Sequence, residues 1–85
     1  MYKNRAKNGD NNISGGKIKK FRTGMSGKVS QNDFAAKLQI DGLDLDKNAI
    51  QRIECGKRFV TDIELRAIAK ALNVSYSDLL DDEPE

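Results

Sequence analysis

Apolar residues recur along this chain at helical spacing, with short polar runs between them. Ile18, Phe21 and Met25 fall at i, i+3, i+7 and predict a first helix over 13–25. Gly24, Ser26 and Gly27 mark the loop behind it. Ser30 and Asp33 have capping-box spacing, so a second helix opens there, with Phe34, Ala35 and Leu38 as its apolar face. That helix is expected to run a turn past Leu38 and stop at a left-handed Gly42. Leu43 and Leu45 alternate with Asp41, Asp44 and Asp46; the leucines are expected to fold back onto the core, with Asp41 and Asp44 outward. Asp46 then caps a third helix that Gly56 ends. A second capping box, Thr61 and Glu64, precedes the strongest periodicity in the chain, Leu65, Ile68, Ala69 and Leu72. Asn73 ends this fourth helix. Ser75 and Asp78 box a short fifth one, whose Leu79 and Leu80 are expected to dock on the core. Phe59-Val60 is too short for a strand, so the pattern predicts an all-α domain of five helices.

Composition narrows what such a domain can do. A chain of 85 residues makes one small domain with little room for a buried catalytic cleft. It has no histidine and one cysteine, Cys55, so a Ser-His or Cys-His pair and a Cys/His zinc site are excluded. No enzyme activity, metal or cofactor is expected. No apolar run approaches the ~20 residues of a membrane span, and no secretory signal pattern is present. A cytoplasmic protein is expected.

Charge is polarised along the chain. Residues 1–28 hold eight Lys/Arg and one Asp, while 75–85 hold five acids and no base. Such a molecule can offer one end to a polyanion and turn the other away, or simply carry two solvated tails. Residues 1–12 read as a disordered basic tail, 13–80 as the domain and 81–85 as an acidic tail.

The third helix carries the candidate chemistry. Ala49, Ile50 and Ile53 share one side; Lys47, Asn48, Gln51 and Arg52 share the other. Those four side chains offer donors, and Asn and Gln also acceptors, as base edges in a major groove require. Most polar helix faces are solvated surface, so this pattern counts mainly through its setting between two further helix signals.

That setting resembles the phage repressor and Cro-type helix-turn-helix family, often called XRE-like. The resemblance lies in Ser30-Gln31, Ala35 and Leu38, in Ile50-x-x-Ile53-Glu54-x-Gly56-Lys57, and in the run from Ile68 to Ser75 with Leu79-Leu80. It implies a five-helix repressor-like fold whose second and third helices meet DNA. This chain departs from the family in a lengthened turn between them, with Gln39 where a Gly is usual. By resemblance, Lys47, Asn48, Gln51 and Arg52 match base-reading positions. Gln31, Lys57 and Arg58 match positions that grip phosphates. Arg22 and Glu54 match a pair tethering the first helix to the third. Lys57-Arg58 could instead be a solvated cation pair favoured by the helix dipole, Gln31 only a good N-terminal residue, and Glu54 a solvated carboxylate.

The function implied is a sequence-specific DNA-binding transcriptional regulator, acting as a repressor by occupying its operator. Its partners would be double-stranded DNA and a second copy in a weak or DNA-assisted homodimer. The alternative is a protein-interaction module on the same fold, an antitoxin or an anti-repressor.

Overall fold

The computed structural model describes residues 9–81. Five helices follow one another: α1 (Gly15–Thr23), α2 (Gln31–Ile40), α3 (Lys47–Glu54), α4 (Asp62–Leu72) and α5 (Tyr76–Leu80). No strand occurs among the described residues. α3 lies against α1 and α2, while α4 lies against α1, α2 and α5. Ile18, Phe34, Leu38, Ile50, Ile53, Ile68 and Leu79 are the fully buried apolar side chains at the centre. Each such burial is worth about 1.5–3 kcal/mol relative to exposure.

The helix starts follow from local side-chain chemistry. Asp33 N–H donates to Ser30 Oγ at 3.0 Å, and Ser30 N–H returns a bond to Asp33 Oδ2 at 3.3 Å. The same reciprocal box closes at Thr61 with Glu64 and at Ser75 with Asp78. Asp46 caps α3 alone, accepting from Ala49 N–H at 2.8 Å.

The stops of α2, α3 and α4 obey one rule. At Gly42, Gly56 and Asn73 the backbone turns left-handed, with φ of +92°, +81° and +58°. In each case the following N–H reaches back to a carbonyl of the last turn: Leu43 to Leu38, Lys57 to Arg52 and Val74 to Ala69. These bonds satisfy carbonyls that a helix end otherwise leaves orphaned.

Leu45 is buried and Leu43 is half-buried against the core, while Asp41 and Asp44 are exposed. The lengthened turn therefore closes by burial of its two leucines.

Three expectations need correction. α1 is shorter than 13–25: Ile13 is exposed outside it, and the helix begins where the Asn12 carboxamide oxygen accepts from Gly15 N–H at 2.8 Å. Gly15 also lets α1 come close to α3, since a Cβ there would collide with the Ile53 carbonyl. Residues 1–8 of the expected tail lie outside the described residues, but Asn11 and Asn12 are tied down by hydrogen bonds. At the other end, 82–85 lie outside the described residues. Leu79 docks on the core but Leu80 does not; it is exposed. Successive residues of a helix point about 100° apart, and the five-residue α5 turns Leu79 inward and leaves Leu80 at the edge of that face.

Candidate nucleic-acid interface

α3 is strongly two-faced. Ile50 and Ile53 are buried and Ala49 packs against the core, which fixes the helix's rotation. Lys47, Asn48, Gln51 and Arg52 are all exposed on the opposite face. None of these four side chains makes a hydrogen bond or ion pair with another described residue. They present lysine, amide and guanidinium groups with no carboxylate among them.

A polar network holds the last turn of this helix. Glu54 is buried and takes both Arg22 Nε at 2.6 Å and Arg22 Nη2 at 2.9 Å. Arg22 Nη1 donates onward to the Val29 carbonyl at 2.8 Å. The bond to Glu54 raises the Arg22 pKa against the opposing pull of burial, so the guanidinium stays charged. Gln31 Nε2 donates to the same carboxylate at 3.0 Å. One buried carboxylate thus joins α1, the start of α2 and the end of α3.

The segment after α3 is braced separately. Arg58 forms a two-pronged pair with Glu64, at 2.8 and 2.9 Å, and Nη1 also donates to the Phe59 carbonyl. That pair holds the Glu64 carboxyl below the usual glutamate range, with the Thr61 bonds adding to the effect. Lys57, by contrast, is exposed and unengaged.

A family model described as Helix-turn-helix matches residues 18–79, most of the chain. This chain belongs to that family. No curated protein and no solved structure matches it.

As a helix-turn-helix protein of the XRE-like type, it is a DNA-binding transcription regulator. α2 and α3 are its helix-turn-helix pair, joined by the lengthened turn at 41–46. The family's helix-turn-helix pairs place the second helix in the major groove. Here that helix is α3, whose unengaged face is the one just described. The structure treats the residues expected on phosphates unequally. Lys57 points a free ammonium outward, Gln31 is half-buried on Glu54, and Arg58 is spent on Glu64. Glu64 was legible only as a cap partner, because its role toward Arg58 has no spacing signature. Asn11 and Asn12 were also missed as structural residues. Their signal was two adjacent residues of the capping type just ahead of a helix.

Among the described residues no group of His, Cys, Asp and Glu is placed to hold a metal ion. No described helix is long and apolar enough to cross a membrane.

Proposed function

We propose that this protein is a sequence-specific regulator that represses transcription by occupying its operator. The reading is carried by one observation: four exposed, unengaged donor side chains on a helix fixed at both ends. A reader that spends nothing on internal bonds keeps its full hydrogen-bonding capacity for base edges. Arg52 and Lys47 suit guanine O6/N7, while Asn48 and Gln51 suit adenine N6/N7. Lys57 supplies a phosphate contact, and Gln31 another at the start of α2, where free backbone N–H groups favour an anion. Arg58 acts here as the brace that aims Lys57, with its charge shared with Glu64. A bacterial or phage operator would place this action in the cytoplasm.

A second copy is the other partner we propose. Ile63, Tyr76 and Leu80 are exposed large hydrophobics around a groove that also includes Asp62, Leu65 and Arg66. An acid and a base at the edge of one apolar patch can pair across a two-fold axis, each with its opposite in the other copy. Such a small contact suits a dimer that forms on DNA, over half-sites about one helical turn apart.

Selection from a random DNA pool tests the whole reading. A recurring, palindromic motif with salt-dependent affinity is the expected result. Arg52→Ala should then reduce the ratio of operator to random binding, since a two-pronged base contact discriminates by ~1–3 kcal/mol. No enrichment of any sequence, or an unchanged ratio in Arg52→Ala, would remove α3 as the reader. Tight one-to-one capture of a protein with no DNA affinity would favour the interaction-module alternative.

A further inference from the structure

The stretch just before α1 takes no part in the reading face, yet it lies across the end of α3. Asn11 N–H donates to the Gly56 carbonyl at 2.7 Å, and Asn11 Nδ2 to the Lys57 carbonyl at 2.8 Å. Asn12 Nδ2 donates both to the Ile53 carbonyl at 3.0 Å and to the Arg58 carbonyl at 2.7 Å. Asn12 Oδ1 meanwhile accepts from Gly15 N–H. Two adjacent side chains and one backbone N–H therefore cover the carbonyls of Ile53, Gly56, Lys57 and Arg58.

The Ile53 carbonyl belongs to the last turn of α3, the negative end of its dipole, and those of Gly56, Lys57 and Arg58 follow it in the loop. They also border Lys57, the free cation beside the reading helix. A helix end with bare carbonyls would repel the phosphates that the cation attracts. Donors bonded to those oxygens quench that field, and they fix the backbone from which Lys57 projects. Directional bonds spanning more than forty positions of sequence thus tie this loop to the stretch before α1.

We propose that Asn11 and Asn12 are positioning residues for DNA binding: they hold the loop after α3 so that Lys57 meets a phosphate and the neighbouring carbonyls do not oppose it. The inference rests on the reading of α3 as the DNA-contacting helix. It predicts a loss that falls on all DNA sequences alike, because phosphates carry no sequence information.

The test compares wild type, Asn11→Ala, Asn12→Ala, Lys57→Ala and the two Asn/Lys57 double variants, all well below their melting temperatures. Operator and random DNA affinities are measured across a salt series. Asn12→Ala is expected to weaken both about tenfold, the size of one lost hydrogen bond. It should also flatten the plot of log K against log salt by about one phosphate equivalent, a slope change near 0.9. Lys57→Ala should then add little in the Asn12→Ala background. Asn11→Ala keeps the backbone bond to Gly56, so it serves as the milder variant should Asn12→Ala fail to fold. A purely structural role would lower the melting temperature and leave affinity, salt slope and additivity untouched; that result overturns the proposal while the reading of α3 stands. Failure of the wild-type chain to bind any DNA would overturn both.

Discussion

Beyond the buried Ile50 and Ile53, α3 is held before its first turn mainly by burial of the long turn with a single cap, and at its last turn by several directed polar bonds. The N-terminal side has one cap, Asp46 on Ala49 N–H, and the two leucines of the long turn, with Leu45 buried. The C-terminal side has the Arg22–Glu54–Gln31 network, the carbonyls covered by Asn11 and Asn12, and the Arg58–Glu64 pair. Burial is non-directional, so it accommodates a turn of unusual length. Hydrogen bonds and ion pairs are directional and fix position. The lengthened turn therefore sits at the tolerant end of the helix. The residues proposed to meet phosphates cluster at the intolerant end.

Breaking either end should separate these two kinds of support. Glu54→Ala leaves the Arg22 guanidinium buried without its partner and should cost about 3–5 kcal/mol, the largest effect expected. It also frees Gln31, so DNA affinity should fall beyond what the lost stability explains. Leu45→Ala should cost about 2–4 kcal/mol through lost burial and the cavity left behind. Below its melting temperature its preference for operator over random DNA should remain that of wild type. Thermal denaturation and paired DNA titrations check both. Equal losses of DNA affinity from the two variants, measured below their melting temperatures, would erase the distinction between the ends.

The two glycine stops sharpen the same contrast. Both have positive φ, so an alanine at either pays ~1–2 kcal/mol for the left-handed backbone. A Cβ on Gly42 meets nothing within 4 Å, whereas one on Gly56 would lie 2.5 Å from the Asp10 carboxyl carbon. Gly56→Ala should therefore lower the melting temperature more than Gly42→Ala. Equal shifts would show that Asp10 swings away without cost, and the reverse order would overturn the steric account.

A smaller effect follows from pH. Arg58 lowers the Glu64 pKa below its unfolded value, so the pair stabilises the fold above the ordinary glutamate range, about 4.3. That contribution is lost as pH falls through the lower, folded value. The pair is partly exposed, so solvent screening keeps it under about 1 kcal/mol. In acid titrations of stability, Glu64→Gln should show a shallower fall below pH ~4.3 than wild type. Parallel curves would mean the pair contributes nothing measurable.

What was legible in the sequence follows the distance over which it is written. The capping boxes at Ser30, Thr61 and Ser75 involve residues three apart, and the stops at Gly42, Gly56 and Asn73 involve single residues. The inward Ile50 and Ile53 imply the outward Lys47, Asn48, Gln51 and Arg52 by helix geometry alone. The Arg22–Glu54 pair came only through family resemblance. Asn11 and Asn12 bond to partners more than forty residues away, and polar contacts at that range leave no periodicity. The Arg58–Glu64 pair leaves no mark in the sequence, because Glu64 already has a local role as a cap. A side chain with two partners announces only the nearer one in the sequence.

The smallest expected effect concerns the turn itself. Asp44 is exposed between the buried Leu45 and the half-buried Leu43, so the backbone at Asp44 is positioned by its neighbours. Asp44→Lys removes no contact from the core and should leave stability within about 0.5 kcal/mol of wild type. Its effect on DNA binding depends on where the turn faces. If Asp44 points away from the duplex, its charge lies beyond the ~10 Å over which surface charges act at 0.1 M salt. Reversing it should then tighten binding less than about threefold, with no change in salt slope. A lysine directly on a phosphate would instead steepen that slope by about 0.9 and raise affinity for every sequence. The two outcomes differ in kind, so one salt series on Asp44→Lys decides between them. The steeper slope would mean that the long turn is itself part of the DNA-binding surface, and that the N-terminal end of α3 is less tolerant than burial alone implies.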